Sequence, residues 1–129
     1  MKLCNVDDHL ELVTHGLDVV HARVAPQWVP AQVIDWCREK KAFLFIVDEG
    51  FFLLRPRHIP SINEVWVECL AAYGRTDSPE SLITKYLPMV DQLVRDYGSH
   101  KLIFSSSRKA YIRMPEFSIY SITYERRVG

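Results

Sequence analysis

Histidines can bind metals or carry protons, so they are the first candidates for chemistry in this sequence. There are five, and His9, His15 and His21 recur every six residues along one predicted helix. Six residues rotate by about 240° around an α-helix, so successive histidines do not share a face. No acidic or cysteine partner completes a ligand set at a recognised spacing. The sequence therefore predicts no metal site.

Cysteine and serine side chains are the candidate nucleophiles. The three cysteines, Cys4, Cys37 and Cys69, are widely spaced and include no C-x-x-C pair, which argues against a disulfide framework and for a reducing compartment. The serine run Ser105–Ser107 lacks the G-x-S-x-G pattern of a nucleophile elbow. We interpret that run as a turn that ends a strand.

Two small basic groups are candidates for ligand binding. They are Arg55, Arg57 and His58 around Pro56, and Arg126 and Arg127 near the end of the sequence. Either group fits an adenosine phosphate, an acidic patch of a partner, a nucleic-acid backbone or solvated loop charges. Sixteen basic residues balance sixteen acidic ones, so no overall positive field favours nucleic acid.

Length and composition are those of one globular domain, which we place at residues 1–129. A hydrophobic fraction of 48% and a charged fraction of 25% exclude a disordered chain, a collagen and a coiled coil. The first residues carry charges and no apolar run long enough for a signal peptide. The longest apolar stretches are strand-sized. We expect a cytoplasmic protein without membrane contact.

The first half of the sequence predicts two helices followed by three strands. After a short strand at Lys2–Val6, Asp8 caps a helix whose apolar residues recur in steps of three and four. The predicted buried positions of this helix are Leu10, Val13, Leu17, Val20 and Val24. A second helix begins at Pro30. Two strands then meet at a hairpin over residues 48–50, with Gly50 at positive φ.

Prolines and a change of period mark the remaining elements. Pro56 and Pro60 are expected to break the second strand of the hairpin, and Glu64–Leu70 alternates as a third strand. A helix capped by Asp77 or Ser78 is kinked at Pro88 and closed by Gly98. We predict a strand at Lys101–Ser105, a short stretch at Ser107–Met114 and a last strand at Phe117–Arg126.

The predicted order is β-α-α-β-β-β-α-β-(short α)-β, an α/β (α+β) fold with a mixed, mostly antiparallel sheet and helices on both faces. Four segments carry this order: LLRPR (53–57), VWVECLAAYG (65–74), YLPMVDQLVRDYG (86–98) and IFSSSRKAY (103–111). With them, the sequence resembles the GNAT superfamily of acyl-CoA N-acyltransferases, and looks closest to small phage-encoded GNAT-like proteins.

The resemblance implies acetyl-CoA as cofactor, in a slot between two diverging strands. It places the thioester against the backbone of Cys69, Leu70 and Ala71. The pyrophosphate would lie on a loop that enters a helix, where backbone N–H groups bind anions. In this sequence those loop residues are Gly74, Arg75, Thr76 and Ser78. The family's R/Q-x-x-G-x-G/A motif is represented there by one glycine.

The resemblance also implies a general base and a general acid. Glu68, on the same predicted strand face as Glu64, is the candidate base, because burial in a slot raises the pKa of a carboxylate towards neutrality. Tyr111 is the candidate acid by its position in the chain. The alternative for Glu68 is a strand with one solvated polar face.

Two functions remain open at this point. One is an acyl-CoA-dependent N-acetyltransferase, with acyl-CoA and an amine acceptor as substrates. The other is a catalytically inactive GNAT-fold phage protein that binds a virion or host protein, located in the virion or the host cytoplasm. The predicted last strand is apolar on both faces, which favours a second layer or a homo-oligomer.

Overall fold

The computed structural model describes residues 2–75, 82–105, 117, 118, 126 and 128. The elements are β1 (Lys2–Cys4), a 3₁₀ turn (Val6–His9), α1 (Leu10–Val24), α2 (Pro30–Arg38), β2 (Phe43–Val47), β3 (Gly50–Ile59), β4 (Glu64–Gly74), α3 (Leu82–Lys85), α4 (Leu87–Asp96) and β5 (Leu102–Phe104). Within the described residues, the strands form one five-stranded sheet in chain order. β1 to β4 pair antiparallel, and β5 joins β4 in parallel. The predicted mixed, mostly antiparallel sheet is confirmed.

Helices cover both faces of the sheet, as predicted. Successive strand residues point to opposite faces, so Phe51 and Phe52, both fully buried, belong to different cores. The first core holds α1 and α2 against the sheet through Val13, Leu17, Val33 and Ile34. The second core holds α3 and α4 against the opposite face through Ile83, Val90 and Val94.

The start of α1 differs from the prediction. Asn5, and not Asp8, provides the cap: its side chain accepts a hydrogen bond from the Asp7 N–H at 3.0 Å and begins the 3₁₀ turn. Leu10 is 39% exposed, whereas Val13 and Leu17 are buried. A Cβ at Gly16 would collide with the rings of Phe51 and Tyr73, so this glycine lets α1 lie close to the sheet.

The hairpin between β2 and β3 forms as predicted, with two corrections. Gly50 does not have a positive φ; a Cβ there would collide with the carbonyl of Tyr73, so close backbone approach requires the glycine. Pro56 does not break β3, which continues to Ile59. β2 pairs with β3 only as far as Leu54, so the missing N–H of Pro56 leaves no β2 partner unpaired.

The remaining predicted elements differ from the structure mainly in their lengths. β4 continues past Leu70 to Gly74, through residues that read as a loop in the sequence. The predicted long helix is divided between α3 and α4, with Pro88 in the first turn of α4, and Gly98 has the expected positive φ of 76°. The caps Asp77 and Ser78 and the predicted stretch 107–114 lie outside the described residues, as does most of the predicted last strand.

Candidate functional site

The pairing between β4 and β5 ends at Cys69. Their parallel register joins Val67 to Leu102, Glu68 to Ile103 and Cys69 to Phe104, where β5 ends. β4 continues to Gly74, and no described residue pairs with that edge of β4 beyond Cys69. An unpaired strand edge offers backbone donors and acceptors to an extended ligand. The structure therefore places a candidate binding edge next to the end of the parallel pairing.

A β-bulge lies at the same point. In the β3–β4 ladder, Leu53 faces Ala71 and Leu54 faces Cys69, so Leu70 is an extra residue in β4. As a result, Leu70 and Ala71 both pack into the core beneath α1 and α2, while Cys69 packs into the opposite core. A bulge bends the strand and re-aims its backbone groups. The three residues predicted to contact the thioester are thus the bulge and its two neighbours.

Cys69 is a structural thiol in this site. Its side chain is buried and donates to the carbonyl of Ala71 at 3.5 Å. Burial raises the pKa of Cys69 to about 12, so the group stays a thiol at neutral pH. Because the thiolate is the nucleophilic form, this geometry disfavours a covalent route through Cys69.

We expect Cys69 to resist alkylation in the folded protein. Iodoacetamide at pH 8 should leave Cys69 unmodified, and the same reagent should modify it once urea has unfolded the chain. Peptide mass spectrometry of both samples provides the measurement. Rapid modification of Cys69 in the folded protein would contradict its assignment as a buried thiol.

The two ends of the loop predicted to hold the pyrophosphate are tied to one residue, Glu49. The Arg75 N–H donates to the Glu49 carbonyl at 2.6 Å, and Lys85 Nζ donates to Glu49 Oε1 at 2.8 Å. Hydrogen bonds from Lys85 and Tyr86 lower the pKa of the Glu49 carboxyl. The β2–β3 turn therefore anchors both the end of β4 and the helix after the loop.

The described part of this loop begins with an open glycine. Gly74 is exposed, and a Cβ there would have Leu82 Cδ1 as its nearest neighbour at 3.9 Å, an ordinary contact. Arg75 is exposed beside it. Thr76 and Ser78 lie outside the described residues, so their predicted contacts stay predictions.

Glu68 lies one residue before the end of the β4–β5 pairing. Its carboxylate is 27% exposed and accepts a hydrogen bond from Arg55 Nη2 at 2.7 Å. Arg55 faces Glu68 across the ladder and lies over the ring of Trp36, 4.2 Å from its centroid. Glu68 is therefore neither a free surface charge nor an isolated buried carboxylate, but one half of a partly buried ion pair.

The second glutamate on this face has a different environment. Glu64 is exposed and accepts a hydrogen bond from Trp66 Nε1 at 2.9 Å. It lies four residues along β4 from Glu68, towards the β3–β4 turn and away from the parting strands. The structure thus separates two glutamates that the alternation alone could not distinguish. Tyr111, the predicted acid, lies outside the described residues.

Within residues 2–75, 82–105 and the isolated described positions, no group of three or more His, Cys, Asp or Glu side chains could hold a metal ion. No helix in the same residues has the length and apolar character needed to cross a membrane.

The fold matches solved acetyltransferases along nearly the whole chain. The ribosomal-protein-alanine N-acetyltransferase from Brucella melitensis biovar Abortus 2308 is 16% identical, with 99% of this chain and 97% of that one covered and a TM-score of 0.65. A probable acetyltransferase is 14% identical over 98% of this chain and 100% of its own, with a TM-score of 0.62. An acetyltransferase from Trypanosoma brucei is 17% identical over 99% and 96%, with a TM-score of 0.56.

No protein-family model and no curated protein sequence matches the chain. At these identities, the structural likeness establishes the fold and not the activity. The GNAT-like fold expected from the sequence is thereby confirmed.

Proposed function

We propose that this protein is an acyl-CoA-dependent N-acyltransferase that transfers an acetyl group to an amine. The observation that carries the proposal is the coincidence of two features at one point of β4. Pairing with β5 ends at Cys69, and the bulge at Leu70 re-aims the backbone at the next residue. Together they leave an edge at which an extended pantetheine chain can add β-type hydrogen bonds.

The chemistry of the β4 edge and of the loop after it supports binding of a CoA thioester. The backbone of Cys69, Leu70 and Ala71 would hold the thioester end, and Gly74 and Arg75, with Thr76 and Ser78, would hold the pyrophosphate. Space for a Cβ at Gly74 supports close approach of a ligand, and the exposed Arg75 supplies positive charge. When bound, acetyl-CoA supplies an activated acyl group.

Glu68 is the proposed general base. Arg55 engages Oε1, and no described residue bonds Oε2, which is therefore available to accept a proton from the amine. As the amine nitrogen bonds to the acyl carbon, the bond from that carbon to sulfur breaks. Tyr111 is the proposed donor of a proton to the departing thiolate. The buried thiol of Cys69 takes no part in this direct transfer.

Calorimetric titration with acetyl-CoA tests the proposal. The wild-type protein should bind acetyl-CoA, and Gly74→Trp should abolish binding because the indole fills the space beside Leu82. Gly74→Ala is the matched control: its Cβ meets only an ordinary contact, so it should retain binding. Circular dichroism of both variants verifies that they are folded.

Absence of binding at millimolar acetyl-CoA would overturn the proposal and favour a GNAT-fold protein without this chemistry. Equal binding by wild-type protein and folded Gly74→Trp would instead move the cofactor away from the β4 edge.

A further inference from the structure

Two arginines share one glutamate beside the proposed reaction centre. Arg55 Nη2 lies 2.7 Å from Glu68 Oε1, and Arg57 Nη1 lies 4.0 Å from the same oxygen. All three side chains lie on one face of the β3–β4 ladder, where Arg55 faces Glu68 and Arg57 faces Trp66. Two positive groups thus meet one carboxylate in this cluster, while Glu64, on the same face, accepts a hydrogen bond from Trp66.

Within the described residues, the cluster is incompletely satisfied, because Nε of Arg55 is buried and has no hydrogen-bond partner among them. The Arg57 side chain is 49% exposed, and within the described residues its only ionic contact is the one with Glu68 Oε1 at 4.0 Å. Guanidinium groups bind carboxylate and phosphate oxygens in a fixed, often bidentate geometry. Arg57 is therefore a donor group still open to an anion.

The position of the cluster indicates that the anion is part of the acceptor molecule. Glu68 immediately precedes Cys69, the last residue of β4 that pairs with β5. An acceptor amine must come within about 3–3.5 Å of the acyl carbon to react. A group bound at Arg57 is then close enough to be part of the same small molecule as the amine.

We propose that Arg55, Arg57 and Glu68 form the acceptor subsite and that the acceptor is a small amine carrying an anionic group. This inference rests on the proposed function. Arg57 binds the anion, Arg55 holds Glu68 in place from its position over Trp36, and the amine lies at Glu68. Polyamines and other acceptors with several positive charges are disfavoured, because the two guanidinium groups repel them.

Direct binding tests the subsite without turnover. N-acetylglycine, a product-like anion, and the uncharged N-acetylglycinamide are titrated while the fluorescence of the tryptophans is followed, since Trp36 and Trp66 both lie at the cluster. The anion should bind about tenfold tighter or more, as expected for hydrogen bonds to a charged group. Arg57→Gln should remove this difference, whereas Arg95→Gln, on α4, should retain it. Equal binding of the two probes by wild-type protein would overturn the inference.

Acceptor preference tests the subsite during turnover. Release of free CoA thiol is measured with glycine, 2-aminoethylphosphonate, glycinamide and spermidine. The kcat/KM for each anionic amine should be at least about tenfold above that for glycinamide. Arg57→Gln should lower kcat/KM for the two anionic amines and leave the value for glycinamide unchanged. Preference between the carboxylate and the phosphonate identifies the anion. If acetyl-CoA binds but spermidine or glycinamide is acetylated with the same kcat/KM as glycine, the inference fails and the proposed function stands.

Discussion

Glu68→Gln is expected to lower kcat about 10²–10⁴-fold while leaving the affinity for acetyl-CoA unchanged, the range over which a positioned general base contributes. Glutamine keeps the size of the side chain and can still accept a hydrogen bond from Arg55, so the β3–β4 ladder should be retained. It cannot take a proton from the amine. Steady-state thiol release and calorimetric titration measure the two quantities separately.

Glu64→Gln is the matched control for this variant. Glu64 lies on the same strand and the same face, is exposed and bonds only Trp66 among the described residues, so its loss should leave turnover within about twofold. An unchanged kcat in Glu68→Gln would remove Glu68 from the chemistry. A similar loss of kcat in both variants would mean that the negative charge on β4, and not proton transfer by Glu68, affects turnover.

Local rules of sequence predicted most elements of this fold correctly. These predictions depend only on neighbours within a few residues. They are Pro30 at the first helical position, Gly98 after a helix, and the alternation of Val65, Val67 and Cys69. The length of β4 does not depend on such neighbours alone. Ala71–Gly74 contains small residues and a glycine that are typical of loops, and only pairing with β3 makes this segment a strand.

The bulge that marks the candidate site had no signal in the sequence. Leu70 continues the apolar character of its strand, and its role as the extra residue follows from a register shift between Leu53 and Leu54 on the neighbouring strand. Register is set by the packing of two faces at once, which a single strand does not encode. The family resemblance points to Cys69, Leu70 and Ala71 as contacts of the thioester, whereas the bulge at these residues emerges only from strand pairing.

The ion pair of Glu68 was missed because Pro56 was interpreted as a strand breaker. That interpretation placed Arg55 and Arg57 in a loop. Once β3 continues through Pro56, antiparallel pairing puts Arg55 opposite Glu68 and Arg57 opposite Trp66. Proline is tolerated there because β2 no longer pairs with this part of β3. The missing information was the length of β2, a property of a different segment.

Phe52→Ala is expected to lower the free energy of unfolding by about 3–5 kcal/mol, a large share of the roughly 5–15 kcal/mol of a typical domain. Phe52 lies on β3, the middle strand of the described sheet, is fully buried, and meets the ring of Tyr86 edge-on with centroids 5.9 Å apart. Its loss leaves a cavity between the sheet and the helices that follow the predicted pyrophosphate loop. Urea unfolding followed by circular dichroism measures the change.

Phe43→Ala is the matched control because it removes the same atoms from the same core. Phe43 stacks on Tyr97 with centroids 5.4 Å apart, but it starts β2 and is only partly buried. Water can fill part of the space that Phe43 leaves, so Phe43→Ala should lower the free energy of unfolding less than Phe52→Ala does. The m value, the slope of that free energy against urea concentration, should be unchanged. Equal losses would mean that the packing of α3 and α4 on β3 contributes no more than the edge of the core, which would also weaken the case for a rigid β4 edge beside them.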